Sequence, residues 1–353
     1  QGALDEISST ETDLGDIDTI QTGSGNDIVV GGFADDALNA GEGNNIAIGD
    51  GVIIDYTQGA GTLETVQSLG TGDGGNDTIT VGDGNDIAFG GAGDDAIEAG
   101  QGDNVVLGDN GLLDYRLDGN LNTVDLVETI APADGGGADM IHSGLGRDIL
   151  VGGLGLDALT ADGGDNVVAG DNARLDFSQG ALVEALSLDV ALGGNDDIVV
   201  GDGDDVVLGG LGSDFVNVDR ISGTRVGASA GADVIVGDNG LAQFDAATNI
   251  LRLITTIAPA DGSGDRIFAG NDSDVVFGGI GADLLDAGTD AGLDIVVGDN
   301  GTAIFNSAGI LTEIETSDPE FGGADGIIAG NGFDVVFGGS GSHGINADNE
   351  TDG

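Results

Sequence analysis

Apolar residues recur along this chain in short runs, each centred on an aliphatic side chain two positions after an Asp or Asn. In Gly82-Asp83-Gly84-Asn85-Asp86-Ile87-Ala88-Phe89-Gly90-Gly91-Ala92-Gly93-Asp94-Asp95-Ala96-Ile97-Glu98 the unit appears twice in succession: glycine-rich turn, acidic residue, alternating apolar positions. Alternation over so few residues, bounded by glycine, predicts one short β-strand per unit. The acidic slot falls at Asp18, Asp27, Asp36 and Asn45, then at Asp77, Asp86, Asp95 and Asn104, then at Asp139, Asp148, Asp157 and Asn166. It continues at Asp196, Asp205, Asp214 and Asp233, at Asp265, Asp274, Asp283 and Asp294, and at Asp325 and Asp334, after which His343 takes the place. The residue two after the slot is aliphatic in every unit, from Ile20, Val29, Leu38 and Ala47 through to Ile327, Val336 and Ile345. Those side chains are expected to fill a thin core between two sheets.

After every fourth unit a longer segment intervenes, so a second period encloses the small one. These segments open alike, with Gly49-Asp50-Gly51, Gly108-Asp109-Asn110-Gly111, Gly170-Asp171-Asn172, Gly237-Asp238-Asn239-Gly240 and Gly298-Asp299-Asn300-Gly301. An aromatic follows each time (Tyr56, Tyr115, Phe177, Phe244, Phe305), then a turn-like patch such as Leu117-Asp118-Gly119-Asn120, then an alternating run such as 251–257. Strand, turn, strand predicts a β-hairpin at 49–72, 108–134, 170–191, 237–260 and 298–320. Between them lie blocks of units at 18–48, 73–107, 135–169, 192–236, 261–297 and 321–347, all within one continuous solenoid over 18–353. Residues 1–17, with Leu4, Ile7 and Leu14 as apolar points, are expected to lead into the first coil. The hairpin openings are either turns in which Asn and Gly supply positive φ, or additional cation ligands from Asp50, Asp109, Asp171, Asp238 and Asp299.

Gly31-Gly32-Phe33-Ala34-Asp35-Asp36-Ala37-Leu38-Asn39 and Gly152-Gly153-Leu154-Gly155-Leu156-Asp157-Ala158-Leu159-Thr160 stand close to the nonapeptide G-G-x-G-x-D-x-U-x, with U aliphatic. On these motifs the chain resembles the RTX (repeats-in-toxin, hemolysin-type) calcium-binding proteins, in particular large adhesins or fibre-like members. The resemblance implies an all-β fold, a parallel β-roll in which nine residues make a turn plus a strand and Ca2+ sits between successive turns on one edge. It also implies secretion through a type I exporter, to the cell surface or an extracellular fibre. Calcium takes six to eight oxygens, which glycine-rich turns and Asp can supply together. Turns on one edge lie two units apart, so the expected ion-sharing pairs run from Asp18 with Asp36 and Asp27 with Asn45 to Asp274 with Asp294. Asn45, Asn104 and Asn166 offer a neutral oxygen and are expected to bind more weakly, and the stretched gaps before Asp233 and Asp294 are expected to disturb those sites.

Consecutive units of a roll alternate between its two sheets, and the outward positions differ by parity. Even units carry Ile87/Phe89, Val105/Leu107 and Val275/Phe277 there, whereas odd units carry Thr78/Thr80 and Ala96/Glu98. One sheet is therefore apolar on both faces and needs a cover. Two coils rise about 9.6 Å, the width of a two-stranded hairpin, so the five hairpins are expected to pair edge to edge into a third sheet over that face. The competing expectation is that another protein molecule covers it.

Charge narrows the function. With 64 acidic residues against 7 basic ones the formal net charge is -57, which repels the chain from itself until cations neutralise it. Such a field excludes nucleic acid and anionic membrane as partners and leaves calcium ions and, head to tail, further copies of the chain. Without Cys, metal has to do the work of disulfides. No His-Glu-x-x-His or Gly-x-Ser-x-Gly motif occurs, His142 and His343 fall in strand and turn slots, and paired acids such as Asp94-Asp95 and Asp196-Asp197 recur with the repeat. The chain therefore reads as no enzyme but as a calcium-binding extracellular structural or adhesive solenoid that rigidifies on binding Ca2+. The alternative is the C-terminal repeat module of a secreted toxin or hydrolase.

Overall fold

The computed structural model of the chain describes residues 4–10, 15–226 and 230–347. Apart from one 3-10 turn at Pro319–Phe321, its regular structure is β, in one 12-stranded and two 11-stranded sheets. No helix among the described residues is long and apolar enough to cross a membrane.

Odd units build the 12-stranded sheet, from Thr19–Gln21 through Thr78–Thr80 to Gly344–Asn346, and even units build an 11-stranded sheet from Ile28–Val30 to Val335–Phe337. A three-residue strand buries almost nothing by itself, so each unit is held by its stacking neighbours. The stacking is parallel and puts aliphatic on aliphatic: Ile79 lies opposite Ile97, Ala88 opposite Val106 and Val276 opposite Val296. Between strands the chain must reverse onto the other sheet, and glycines such as Gly93, at φ 127, supply a backbone conformation that other residues rarely adopt.

The third sheet is antiparallel and consists of the five hairpins, from Val52–Tyr56 with Leu63–Ser68 to Gly301–Phe305 with Leu311–Thr316. Successive hairpins pair edge to edge, as Thr65–Gln67 do with Leu112–Asp114. Its outermost strand, Glu6–Ser8, pairs with 53–55, so part of the expected lead-in joins the cover sheet instead of the first coil. Leu14, and the tail from Asp348 onward, lie outside the described residues.

Two cores result. Side chains two after the slots fill the inner one between odd and even sheets, Val207 and Leu285 with no exposure, while those of the outermost units, Ile20, Val336 and Ile345, are only partly covered. The outer core lies between the even sheet and the hairpins. Parity is visible in burial: Ile87–Phe89, Val105–Leu107 and Val275–Phe277 are buried at all three positions, whereas Thr78–Thr80 is fully buried only at its centre. The chain thus covers its own apolar face.

The hairpin aromatics belong to this outer core. Phe177 and Phe305 are buried in it, and Tyr56, Tyr115 and Phe244 pack against it. Four of the five stand where the hairpin register shifts: at Asp55/Tyr56, Asp176/Phe177, Gln243/Phe244 and Ile304/Phe305. A bulge there bends the strand and re-aims a side chain, which fits an aromatic turned toward the even sheet. Phe277, with 0% exposure, is among the largest side chains of the outer core, so Phe277→Ala is expected to cost about 3–5 kcal/mol in urea melts of the calcium-saturated protein. Thr78→Ala, on the open face, is expected to stay within about 0.5 kcal/mol.

Candidate metal columns

The slot residues form two ladders, one along each edge of the roll. On the odd edge the Asp36 N–H donates to Asp77 Oδ1 at 2.7 Å, the Asp77 N–H to Asp95 Oδ1 at 2.7 Å and the Asp95 N–H to Asp139 Oδ1 at 2.7 Å. The series continues through Asp157, Asp196, Asp214, Asp265 and Asp283 to Asp325, whose N–H meets Nδ1 of His343. Asp18 begins it with a bond to Asp36. On the even edge Asp27 leads through Asn45, Asp86, Asn104, Asp148, Asn166, Asp205, Asp233, Asp274 and Asp294 to Asp334. The residues expected to share ions adjoin through these hydrogen bonds, and so do residues of neighbouring blocks, such as Asp36 and Asp77, which were not foreseen because forty-odd residues separate them in sequence. The stretched gaps loop out without breaking register: Asp205 reaches Asp233 at 2.9 Å and Asp274 reaches Asp294 at 2.9 Å.

At fifteen of the Asp rungs the ladder bond uses one carboxylate oxygen and leaves the other. Oδ2 of Asp36, Asp77, Asp95, Asp139, Asp157, Asp196, Asp214, Asp265, Asp283 and Asp325 is buried without a hydrogen-bond partner, as is Oδ2 of Asp86, Asp148, Asp205, Asp274 and Asp334 on the even edge. A buried acceptor left unmatched is costly, and an unmatched charge more so. Burial, with the neighbouring carboxylates, accordingly pushes the carboxyls up: Asp77 to about 8, Asp274 to about 9 and Asp139 to about 10. Asp196 and Asp265 also lie well above the usual carboxylate range, again through burial first and adjacent Asp residues second.

The odd edge has a second feature. The residue after every even strand is glycine: Gly31, Gly49, Gly90, Gly108, Gly152, Gly170, Gly209, Gly237, Gly278, Gly298 and Gly338. A Cβ on any of the first ten would fall inside 3.0 Å of an unmatched Asp Oδ2 and of a glycine carbonyl oxygen on the neighbouring rung. At the same position of the odd units, four after the slot, stand residues such as Ala40, Val81, Ala99, Ala161 and Ala269, whose side chains join the inner core. The odd edge is therefore an oxygen-lined cradle kept open by glycine, and oxygen is the donor that hard dications take.

The hairpin openings add a third carboxylate per block to this edge. Asp109 accepts the Gly137 N–H at 3.1 Å and the Leu154 N–H at 2.5 Å, and Asp238 accepts from Ser263 at 3.0 Å and Ile280 at 2.5 Å. Asp171 and Asp299 bridge two turns in the same way, and Asp50 accepts from Ala92 at 2.6 Å. Burial, with Asp157 and Asp95 nearby, raises Asp109 to about 8. No opening Asn or Gly has positive φ, so the simple-turn expectation for these segments does not hold; the Asn side chains instead tie down loops, as Asn110 does with Thr71 and Asp134.

The three even-edge Asn residues behave differently from the Asp. Their Oδ1 atoms take the N–H of Asp27, Asp86 and Asp148, and Nδ2 turns to the turn carbonyls: Asn45 to Gly41, Gly43 and Val81, Asn104 to Gly102, Asn166 to Gly164. The amide hydrogens thus stand where a cation would otherwise be drawn. A further ladder went unnoticed in the sequence although its signal, Asn or Asp just before the slot, is plain: the Asn85 N–H donates to Asn44 Oδ1 at 3.0 Å and the Asp94 N–H to Asn76 Oδ1 at 3.1 Å. Asp94-Asp95 is therefore two ladder members side by side.

The unmatched oxygens, the glycine cradle and the all-oxygen donor set fit calcium, which when bound would supply the positive charge that lets these carboxylates stay ionised inside the protein. A family model, the RTX calcium-binding nonapeptide repeat (four copies), matches residues 14–47, 71–106, 134–172, 190–220 and 260–293, stretches that hold most of the ladder residues and skip the hairpin strands. No curated protein and no solved structure gives a significant match. Repeat, roll and acid ladders agree: the chain belongs to the RTX nonapeptide-repeat family, as a calcium-binding β-roll protein.

Proposed function

We propose that the chain is an extracellular structural or adhesive rod, stiffened by Ca2+ along its two edges and able to stack head to tail. The observation that supports this most is continuity. The odd ladder runs without a break through all 12 strands of its sheet, about 55 Å at roughly 4.8 Å per rung, and nothing in it is set apart as a catalytic cleft. His142 lies on the open face between Glu98 and Asp162, Asp94 and Asp95 are ladder members, and Asp197, beside the ladder member Asp196, is paired with Arg220. The cation ligands in this reading are the slot Asp residues, with Asp50, Asp109, Asp171, Asp238 and Asp299 joining the odd column. Asn45, Asn104 and Asn166 mark rungs that fill themselves. Asn45→Asp is therefore expected to add one bound Ca2+ in calorimetric titration, because a carboxylate replaces the amide hydrogens at that rung.

Stacking would continue the parallel hydrogen-bond ladders of the roll from one copy to the next. Negative-stain images in calcium at high protein concentration test it. Filaments of uniform width that dissolve in chelator are the expected result, and separate short particles under all conditions would overturn it.

A further inference from the structure

The last described rung of the odd column departs from the others. His343 stands where the preceding rungs have Asp, and it meets Asp325 from the same column and Asp299 from the last hairpin opening. Among the described residues this is the one place where three side chains bring potential ligand atoms within 4.8 Å of one another.

Its geometry asks for a cation. The Asp325 N–H donates to His343 Nδ1 at 3.2 Å, so this nitrogen faces the carboxylate as an acceptor. Nδ1 and Asp325 Oδ2 are nevertheless only 3.0 Å apart, with the Asp325 side chain fully buried and its Oδ2 without a hydrogen-bond partner. With the imidazole protonated this contact is an ion pair; with it neutral, two acceptors at that separation repel unless a cation lies between them. Ligand atoms bound at about 2.0–2.1 Å to one small dication stand at about this mutual distance. Asp299 completes the set, held in place by the N–H groups of Gly323 and Ser340.

We propose that Asp299, Asp325 and His343 form a site for a borderline transition-metal dication of the Zn2+ class, at the end of the calcium column. Imidazole suits such ions, whereas carboxylate and carbonyl oxygens suit calcium, so exchanging one carboxylate for a ring nitrogen changes the preference of a single rung. The inference rests on the cation column proposed above, but it is read out separately.

The test uses the full chain in excess calcium, with Co2+ as the visible probe. The unaltered protein is expected to take up one Co2+ with d–d absorption, lost on adding Zn2+ and kept on adding more Ca2+. His343→Asp is expected to abolish the band while leaving calcium-dependent circular dichroism intact; His142→Ala is expected to keep both. No Co2+ uptake in excess calcium, or equal uptake by the His343→Asp protein, would overturn the site. Loss of calcium-dependent folding in the unaltered protein would count against the calcium columns instead.

Discussion

In a calcium chelator the chain is expected to lose stability as pH rises from about 5 to about 9, the opposite of ordinary acid denaturation. The sign follows from the direction of the shifts. Burial holds Asp148 at about 6, Asp77 at about 8 and Asp139 at about 10, all above the usual value of 3.8 that the unfolded chain would show. Between those limits the folded state binds more protons than the unfolded one, so each step upward in pH favours unfolding. Repulsion among the remaining carboxylates of a chain with formal net charge -57 adds in the same direction. Many sites push the same way, against a stability that for an ordinary domain is only about 5–15 kcal/mol. With calcium bound the sign reverses over the same range, because protons then compete with the metal for ionised ligands. Thermal melts in chelator and in calcium, across that pH range, check both slopes. A melting temperature that climbs with pH in chelator contradicts the account.

Gly152→Ala is the second large effect expected. Its Cβ would fall inside 3.0 Å of both the Gly170 carbonyl oxygen and Asp157 Oδ2, in a space that the account reserves for a cation. Backbone bounds one side and a ladder carboxylate the other, so no flexible side chain can yield. Overpacking alone costs about 3 kcal/mol, and the bound metal of that rung is lost as well. Because a solenoid is stabilised between nearest neighbours, the damage is expected to divide one cooperative transition into two. Ala161→Gly, at the matching position on the even edge, is the control: it removes a core methyl and is expected to cost about 1 kcal/mol with calcium stoichiometry unchanged. Calorimetric calcium counts and denaturant melts on the two variants distinguish the edges.

Much of this architecture was legible in the sequence, because in a repeat protein one nonapeptide states the local structure many times over. Parity in the outward positions was enough to see that Ile87 and Phe89 needed a cover and that Thr78 and Thr80 did not. The hairpins could be assigned to that cover from strand spacing alone. Less legible was anything that depends on which rung faces which across an insertion. Asp36 and Asp77 adjoin only because the intervening hairpin leaves the roll and returns in register. Asp50 and its counterparts could be read as turn residues or as extra ligands, since Asp-Asn-Gly is a common turn; that carboxylates such as Asp109 reach two turns of the next block is a tertiary fact. The difference between the edges was present in the sequence as glycine after one strand and alanine or valine after the next. Its meaning required knowing that one Cβ points into the core and the other would enter the carboxylate column.

The most direct measurement is circular dichroism with small-angle scattering on chelated protein at neutral pH as calcium is added. The account predicts an expanded, coil-like chain with a radius of gyration on the order of 65 Å, passing cooperatively to a β-rich particle of about 20 Å as the columns fill. A β-rich signal and compact size already present in chelator, and unmoved by calcium, would contradict it.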